Sequence, residues 1–368
     1  MDILVIVSQA FLYICFAFLM GGFIVSIVPS DHRPAVAIPT RLYRLSAGAI
    51  PVLTFIPVLD IILYISPRLG FFEAFKIVLT TYSMGHAWDF TLLFSILLIL
   101  FINRKIDVQQ PKKSAYITAI LFTMAIMVTV GWASHAAAVS VIAGIVNDVI
   151  HLIAVSTWVG IVLIVAWFST NMANWLAFLK WFSIVAASCL ALTAISGLFL
   201  MNILVDHYID GWIVSYGSGL LMKHLFLLPL LFYALFNSLI VKFMLAKDPT
   251  YNVRKGVRVE SMILLTIFLL TAAFSQQPPP HGFAVTENMV SPLFRLFNDS
   301  PITVNSYIGF AFEMHSLLFF FIALLLSLLA MGLVFVKKLP SYVLFIISAC
   351  AIFSVFSLIM SIIDIRSF

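Results

Sequence analysis

Apolar residues run along this chain in long blocks, such as "VIVSQAFLYICFAFLMGGFIVSIV" at 5–28, separated by short polar breaks that carry most of the Pro, Lys and Arg. A helix rises about 1.5 Å per residue, so about twenty such residues cross a hydrocarbon core about 30 Å thick. The pattern predicts ten spans, at 3–28, 42–66, 86–102, 115–133, 145–168, 176–204, 219–246, 257–275, 306–336 and 341–364. The fold class is therefore all-α, a polytopic transmembrane helix bundle of eight to ten spans. The first block has no basic stretch before it and no A-x-A-like cleavage site, which reads as a retained helix rather than a signal peptide. Two segments interrupt the alternation of spans and short loops. Within 67–85, "RLGFFEAFKIVLTTY" has apolar residues at helical spacing and few charges, as in a short helix lying at a membrane interface. The segment 276–305 opens on "QQPPPHGF" and ends on "FNDSPITVNS", too polar and too rich in proline to lie in lipid.

Composition confirms the solvent. With 63% apolar and 10% charged residues, the chain cannot clothe a water-soluble globule, and membrane lipid is its first partner. Of the 20 Lys and Arg, 15 fall on one side of the predicted topology and 5 on the other, which places the first side in the cytoplasm and both termini outside. The 15 acidic residues lean the other way, 11 outside and 4 inside, and a negative outer mouth concentrates cations. No Walker motif or aspartyl-phosphate signature is visible, so neither nucleotide nor nucleic acid enters the reading. Cys15, Cys189 and Cys350 each fall near the middle of a different span and imply no disulfide framework.

The candidate chemistry lies in where the eight histidines fall. Only His32 belongs to the cytoplasmic side. His86 opens the third span and His135 closes the fourth; His207 and His281 lie in outer loops; His151, His224 and His315 sit inside the fifth, seventh and ninth spans. By the helical rise, His151 and His315 lie roughly 9 to 12 Å below the outer helix ends. Ionisable groups at such depth are costly and are kept where they pair, bind or conduct something. Carboxylates share the bias: Asp60, Asp89, Asp148 and Glu313 lie in or at the outer ends of spans. His86 and Asp89, like Asp148 and His151, are three apart on a helix and can share a face, where a carboxylate raises the basicity of a metal-binding imidazole. Met84 stands two before His86 and Met314 beside His315, and imidazole with thioether is a ligand set that favours copper. Most of the fourteen methionines are packing residues. The expected arrangement is an outer-face metal site drawn from His135, His151, His86, His281, His224, His315, Met314 and Met84, supported by Asp89, Asp148, Asp60 and Glu313.

Several stretches occur in an order that carries a resemblance: "HLIAVSTWVG" at 151–160, "FSIVAASCLALTAISGLF" at 182–199, "SYGSGLLMKHLFLL" at 215–228, Asn237, and "VRVESMILLTIFLLTAAFSQQPPP" at 257–280. Together they resemble the copper resistance protein D family of inner-membrane proteins, and "SHAAA" at 134–138 resembles the short His-Ala motif that precedes the family's membrane domain. The resemblance implies three parts: N-terminal spans with the interface helix at 1–130, the family-like membrane domain at 131–281, and an outer loop with two last spans at 282–368. It makes His135 and His151 the leading copper contacts and leaves Tyr216, Lys223, Asn237 and Glu260 as motif residues. It also implies copper handling, in the sense of movement across the cytoplasmic membrane toward the cytoplasm. Some relatives carry an extracytoplasmic copper-binding β-domain that this sequence lacks, so a donor would be a separate protein docking on the outer face.

Three functions fit these residues. The first is a copper-binding transporter with no covalent chemistry. The second is a redox protein, since histidines on facing helices can ligate a haem b iron from both sides. The third is a copper chaperone or assembly factor that passes the ion to a partner.

Overall fold

The computed structural model describes residues 2–106, 112–171, 173–247, 252–280, 287–302, 306–311, 314–333 and 339–367. The chain forms a helical bundle, and among the described residues ten helices are long and apolar enough to cross a membrane, as the hydrophobic blocks predict. It divides into two compact units, Met1–Ile203 and Leu204–Phe368.

The first unit holds α1 (Asp2–Ile27), α2 (Thr40–Leu69), α3 (Phe71–Thr81), α4 (Ser83–Lys105), α5 (Lys113–Trp132), α6 (His135–Val139), α7 (Val141–Trp167) and α8 (Trp175–Leu204). Helix α1 is central and packs against α2, α5 and α7. Its contact with α7 runs through Gly21 and Gly160: a Cβ on Gly160 would stand 2.0 Å from the Ala17 carbonyl oxygen, so only glycine lets the two backbones come this close. Lipid supplies no hydrophobic drive between spans, and close backbone approach with dispersion contacts takes its place. The short α3 occupies the segment where an interface helix was predicted. Its Ala74 and Val78 are buried against Val58 and Ile62 of α2, with Met84 and Trp88 of α4 packed on the same cluster. At the end predicted to face the cytoplasm, the 28–39 and 168–174 loops are strapped together. Val36 bridges Ser169, Asn174 donates from Nδ2 to Ser30 O at 2.9 Å, and the Trp181 indole donates to His32 O at 2.9 Å.

The second unit holds α9 (Ser215–Leu235), α10 (Val241–Lys247), α11 (Arg254–Phe274), the one-turn α12 (Pro292–Arg295), α13 (Met314–Leu333) and α14 (Ser341–Ser361). A π-turn over Phe236–Ile240 joins α9 to α10 into a single crossing. Helix α9 packs on α11 and α14, and α13 packs on α14. The ninth predicted span began too early. Residues Ser306–Phe310 are a strand, β1, antiparallel to β2 (Ile363–Ser367), and the helix starts only at Met314. The reason is readable in "IDIRS", where Ile363 and Ile365 alternate with Asp364 and Arg366 at the period of a strand. Residues 287–302 of the polar segment after α11 pack onto their own unit. Ser291 caps α12 through Leu293 N–H and accepts a hydrogen bond from Ser218 of α9 at 3.0 Å, while Phe294 is fully buried. Arg295 pairs with Glu287 and donates to Ser300 O at 2.8 Å.

Candidate metal-contact site

In the first unit the three predicted histidines lie on α4, α6 and α7. His86, near the start of α4, is half-buried with its ring 6.4 Å from that of Trp132. Asp89, one turn on, is exposed, and no hydrogen bond or ion pair joins the two. Met84 faces the α2–α3 cluster, a packing role. Asp60 sits half-buried within α2.

His135 is the first residue of α6, exposed at a turn capped by Ser134, whose Oγ accepts from Ala137 N–H at 3.2 Å. The next residue locks this turn to α7: a Cβ on Gly144 would meet the Ala136 carbonyl oxygen at 2.1 Å. His151 lies seven residues beyond Gly144, about 10 Å farther along α7 by the helical rise. "SHAAA" is thus pinned two turns above the intramembrane histidine. Asp148 lies half-buried between them on the same helix, with Oδ2 3.6 Å from where a Cβ on Gly131 of α5 would stand.

His151 is half-buried and turned toward α8. Its Nδ1 is 3.1 Å from Ser196 Oγ, and Ser196 is almost fully buried. The same Oγ lies 2.6 Å from the backbone oxygen of Leu192. The ring lies against α8 beside Gly197, where a Cβ would stand in ordinary contact with His151 Cε1 at 3.4 Å. One heptad inward on both helices the contact recurs, with the buried Cys189 of α8 against the backbone of Trp158 of α7. Pairing 151 with 196 and 158 with 189 is the register of two antiparallel helices. Ser196 and Gly197 fall within the family-like stretch at 182–199. Their sole sequence signal as site residues is the heptad that puts Phe182, Cys189 and Ser196 on one buried face of α8.

In the second unit, His224 of α9 is half-buried and its Nδ1 stands 2.6 Å from the hydroxyl of Tyr208, in the loop before α9. Burial pushes the Tyr208 phenol above its ordinary value, so it keeps its proton. Tyr208 had no part in the predicted site, being a loop residue without a partner in the sequence pattern. Met314 is 82% exposed at the start of α13, a position that suits lipid or solvent contact. His281, Glu313 and the side chain of His315 lie outside the described residues. Deeper in the same unit, on the π-turn, Asn237 donates from Nδ2 to the buried Glu260 carboxylate at 2.7 Å.

Among the described residues, no three His, Cys, Asp or Glu side chains gather where one metal ion could touch all of them. The arrangement offers histidines whose Nδ1 atoms are held by hydroxyl groups, which fixes each ring in place. That is how the outer neighbours of metal-binding imidazoles orient them.

No curated protein and no solved structure matches the chain significantly. Two family models do: "Copper resistance protein D-like, N-terminal domain" over residues 1–145, and "Copper resistance protein D" over residues 176–274. The first covers α1 to α6 with His86 and His135. The second covers the helix that carries Ser196, then Tyr208, His224 and the Asn237–Glu260 pair. By these two matches, in chain order and across both units, this multi-pass membrane protein belongs to the copper resistance protein D family.

Proposed function

We propose that the protein carries copper across the cytoplasmic membrane, inward, taking the ion at the outer ends of its spans. The observation that carries this reading is His151: an imidazole held within a membrane span by the facing helix, in a chain of a copper-handling family. Copper here is cargo, and soft imidazole and thioether donors suit it. His135 at the outer turn and His151 two turns deeper form successive contacts for an incoming ion, with Asp148 between them on the same helix. His86 belongs to the same unit, and the sequence adds His224, His281, His315 and Met314 as further outer-side donors. The acidic excess predicted outside draws the cation in, and the basic excess inside fixes the orientation. No nucleotide-binding machinery is present in the sequence, so the ion moves down a gradient or is handed between carriers. Where the ion is handed over, its donor is a separate extracytoplasmic protein docking on the outer face.

The test is uptake into sealed proteoliposomes that enclose a Cu(I) chelator. The native protein should load the chelator, and the His135→Ala, His151→Ala double variant should lose at least about tenfold of the rate, the order expected when metal ligands or their supports are removed. Uptake by the double variant equal to native would defeat the proposal. An intense Soret band in the purified protein would instead point to haem chemistry.

A further inference from the structure

His32 stands apart from the other histidines, on the loop between α1 and α2 at the end predicted to face the cytoplasm. Its Nδ1 lies 3.0 Å from Asp31 Oδ1. An ionised carboxylate only accepts, so the neutral ring donates from Nδ1 and carries its lone pair on Nε2. Among the described residues no hydrogen bond or ion pair engages Nε2, and the side chain is 57% exposed. The backbone beneath this exposed pair is nevertheless fixed from several sides. The Trp181 indole of α8 donates to His32 O at 2.9 Å, and His32 N–H closes a turn on Pro29 O at 3.0 Å. Asn174, in the left-handed region at φ 60°, donates from Nδ2 to Ser30 O at 2.9 Å. Just past α7, Phe168 O accepts from Ala37 N–H at 3.0 Å, and Thr170 N–H donates to Ala35 O at 2.8 Å.

The helices that anchor this loop are the two that hold the intramembrane ring. His151 stands seventeen residues before Phe168, and its neighbour Ser196 fifteen residues after Trp181, about 25 Å and about 22 Å by the helical rise. The α7–α8 pair thus has an imidazole toward each end. We propose that His32 is a copper contact at the cytoplasmic end of this pair, where the ion leaves for an acceptor that offers thiolates. A carboxylate behind the imidazole is the arrangement that orients metal-binding histidines. One such donor holds a soft ion weakly, and thiolates draw it off, which suits release rather than storage. A cavity of about 570 Å³, lined in part by Asp31, Arg33 and Asn174, leaves the acceptor room beside the pair. This inference rests on the reading of the protein as a copper carrier and names the exit of that path.

Two measurements separate the claims. Cu(I) has a closed d shell and leaves NMR signals sharp. In 15N-histidine protein, in lipid and without oxygen, Cu(I) should shift the Nε2 signal of His32, identified as the one missing in His32→Gln. A His32 signal that stays in place while Cu(I) shifts other histidines overturns the contact. In the proteoliposome assay, His32→Ala should slow delivery to the enclosed chelator about tenfold, and His32→Cys, which restores a soft donor, should recover most of the rate. Native delivery by His32→Ala overturns the exit role. No delivery by the native protein defeats the carrier reading and the exit role with it, while the His32 shift still judges the contact.

Discussion

The two units solve the same problem, a polar ring inside a membrane, with opposite proton placements. In the first, Ser196 already gives its hydrogen to a helix carbonyl, and the 3.1 Å bond to His151 is donated by the ring. In the second, Tyr208 approaches His224 Nδ1 at 2.6 Å, shorter than N–H···O bonds run and typical of an O–H donor. The phenol donates, and His224 carries its own proton on Nε2. The two rings thus meet their hydroxyl neighbours in opposite senses, His151 donating and His224 accepting. Depth and residue type alone do not set a histidine's chemistry: the hydroxyl next to the ring bears on which nitrogen carries the proton.

The frameworks around these rings differ in kind, and the largest effects should come from them. The first unit depends on backbone approach at Gly160. Gly160→Leu should separate α1 from α7 and cost 3 kcal/mol or more, beyond the roughly 1–3 kcal/mol of ordinary overpacking, because backbone rather than a movable side chain lies against it. Thermal unfolding in detergent should show the first unit lost at a much lower temperature. A Gly160→Leu protein that melts with the native one would show that the unit does not rest on this crossing. The second unit depends instead on side-chain pairs such as Asn237 with Glu260. Asn237→Leu removes the donor to a buried carboxylate and should destabilise by about 1–3 kcal/mol, whereas Glu260→Gln keeps an acceptor oxygen and should cost less. If the order is reversed, the amide is not what holds Glu260 in the membrane.

These differences explain what could and could not be read from the sequence. The spans were legible because lipid requires long apolar runs whatever the packing, and α3 was legible from its apolar spacing beside Arg68 and Lys76. The start of α13 was not: "SYIGF" is apolar enough to extend a span, and only its pairing partner, some fifty residues later, makes it a strand. His151 was legible as an anomaly in an apolar run. Ser196 was not, since a serine among Ala, Leu and Ile is unremarkable until the antiparallel register of α7 and α8 sets it opposite the ring. Tyr208 was hidden for a related reason, as its contact with His224 spans a loop whose turn no periodicity predicts. The spacing of His86 and Asp89 suggested a pair, but the shared helix face leaves Asp89 exposed and out of bonding reach. Periodicity names a face; it does not say which neighbour a rotamer will choose.

The smallest effect sharpens the comparison most. Tyr208→Phe removes one hydroxyl and keeps the ring that packs edge-on against Trp212 at 5.6 Å, so stability should fall only by the worth of one hydrogen bond, about 1 kcal/mol. Its consequence for His224 is qualitative. With the phenol gone, nothing holds the proton on Nε2, and the 15N signals of His224 should shift from a single Nε2-protonated form to a mixture of both tautomers. Ser196→Ala should act differently at His151, since it removes the acceptor of the ring's N–H rather than a donor to it. Both substitutions delete a hydroxyl hydrogen-bonded to an Nδ1 atom, so an account in which the hydroxyls merely brace their rings predicts the same 15N change in both. Identical shifts at His151 and His224 would mean that the two contacts do not differ in proton placement.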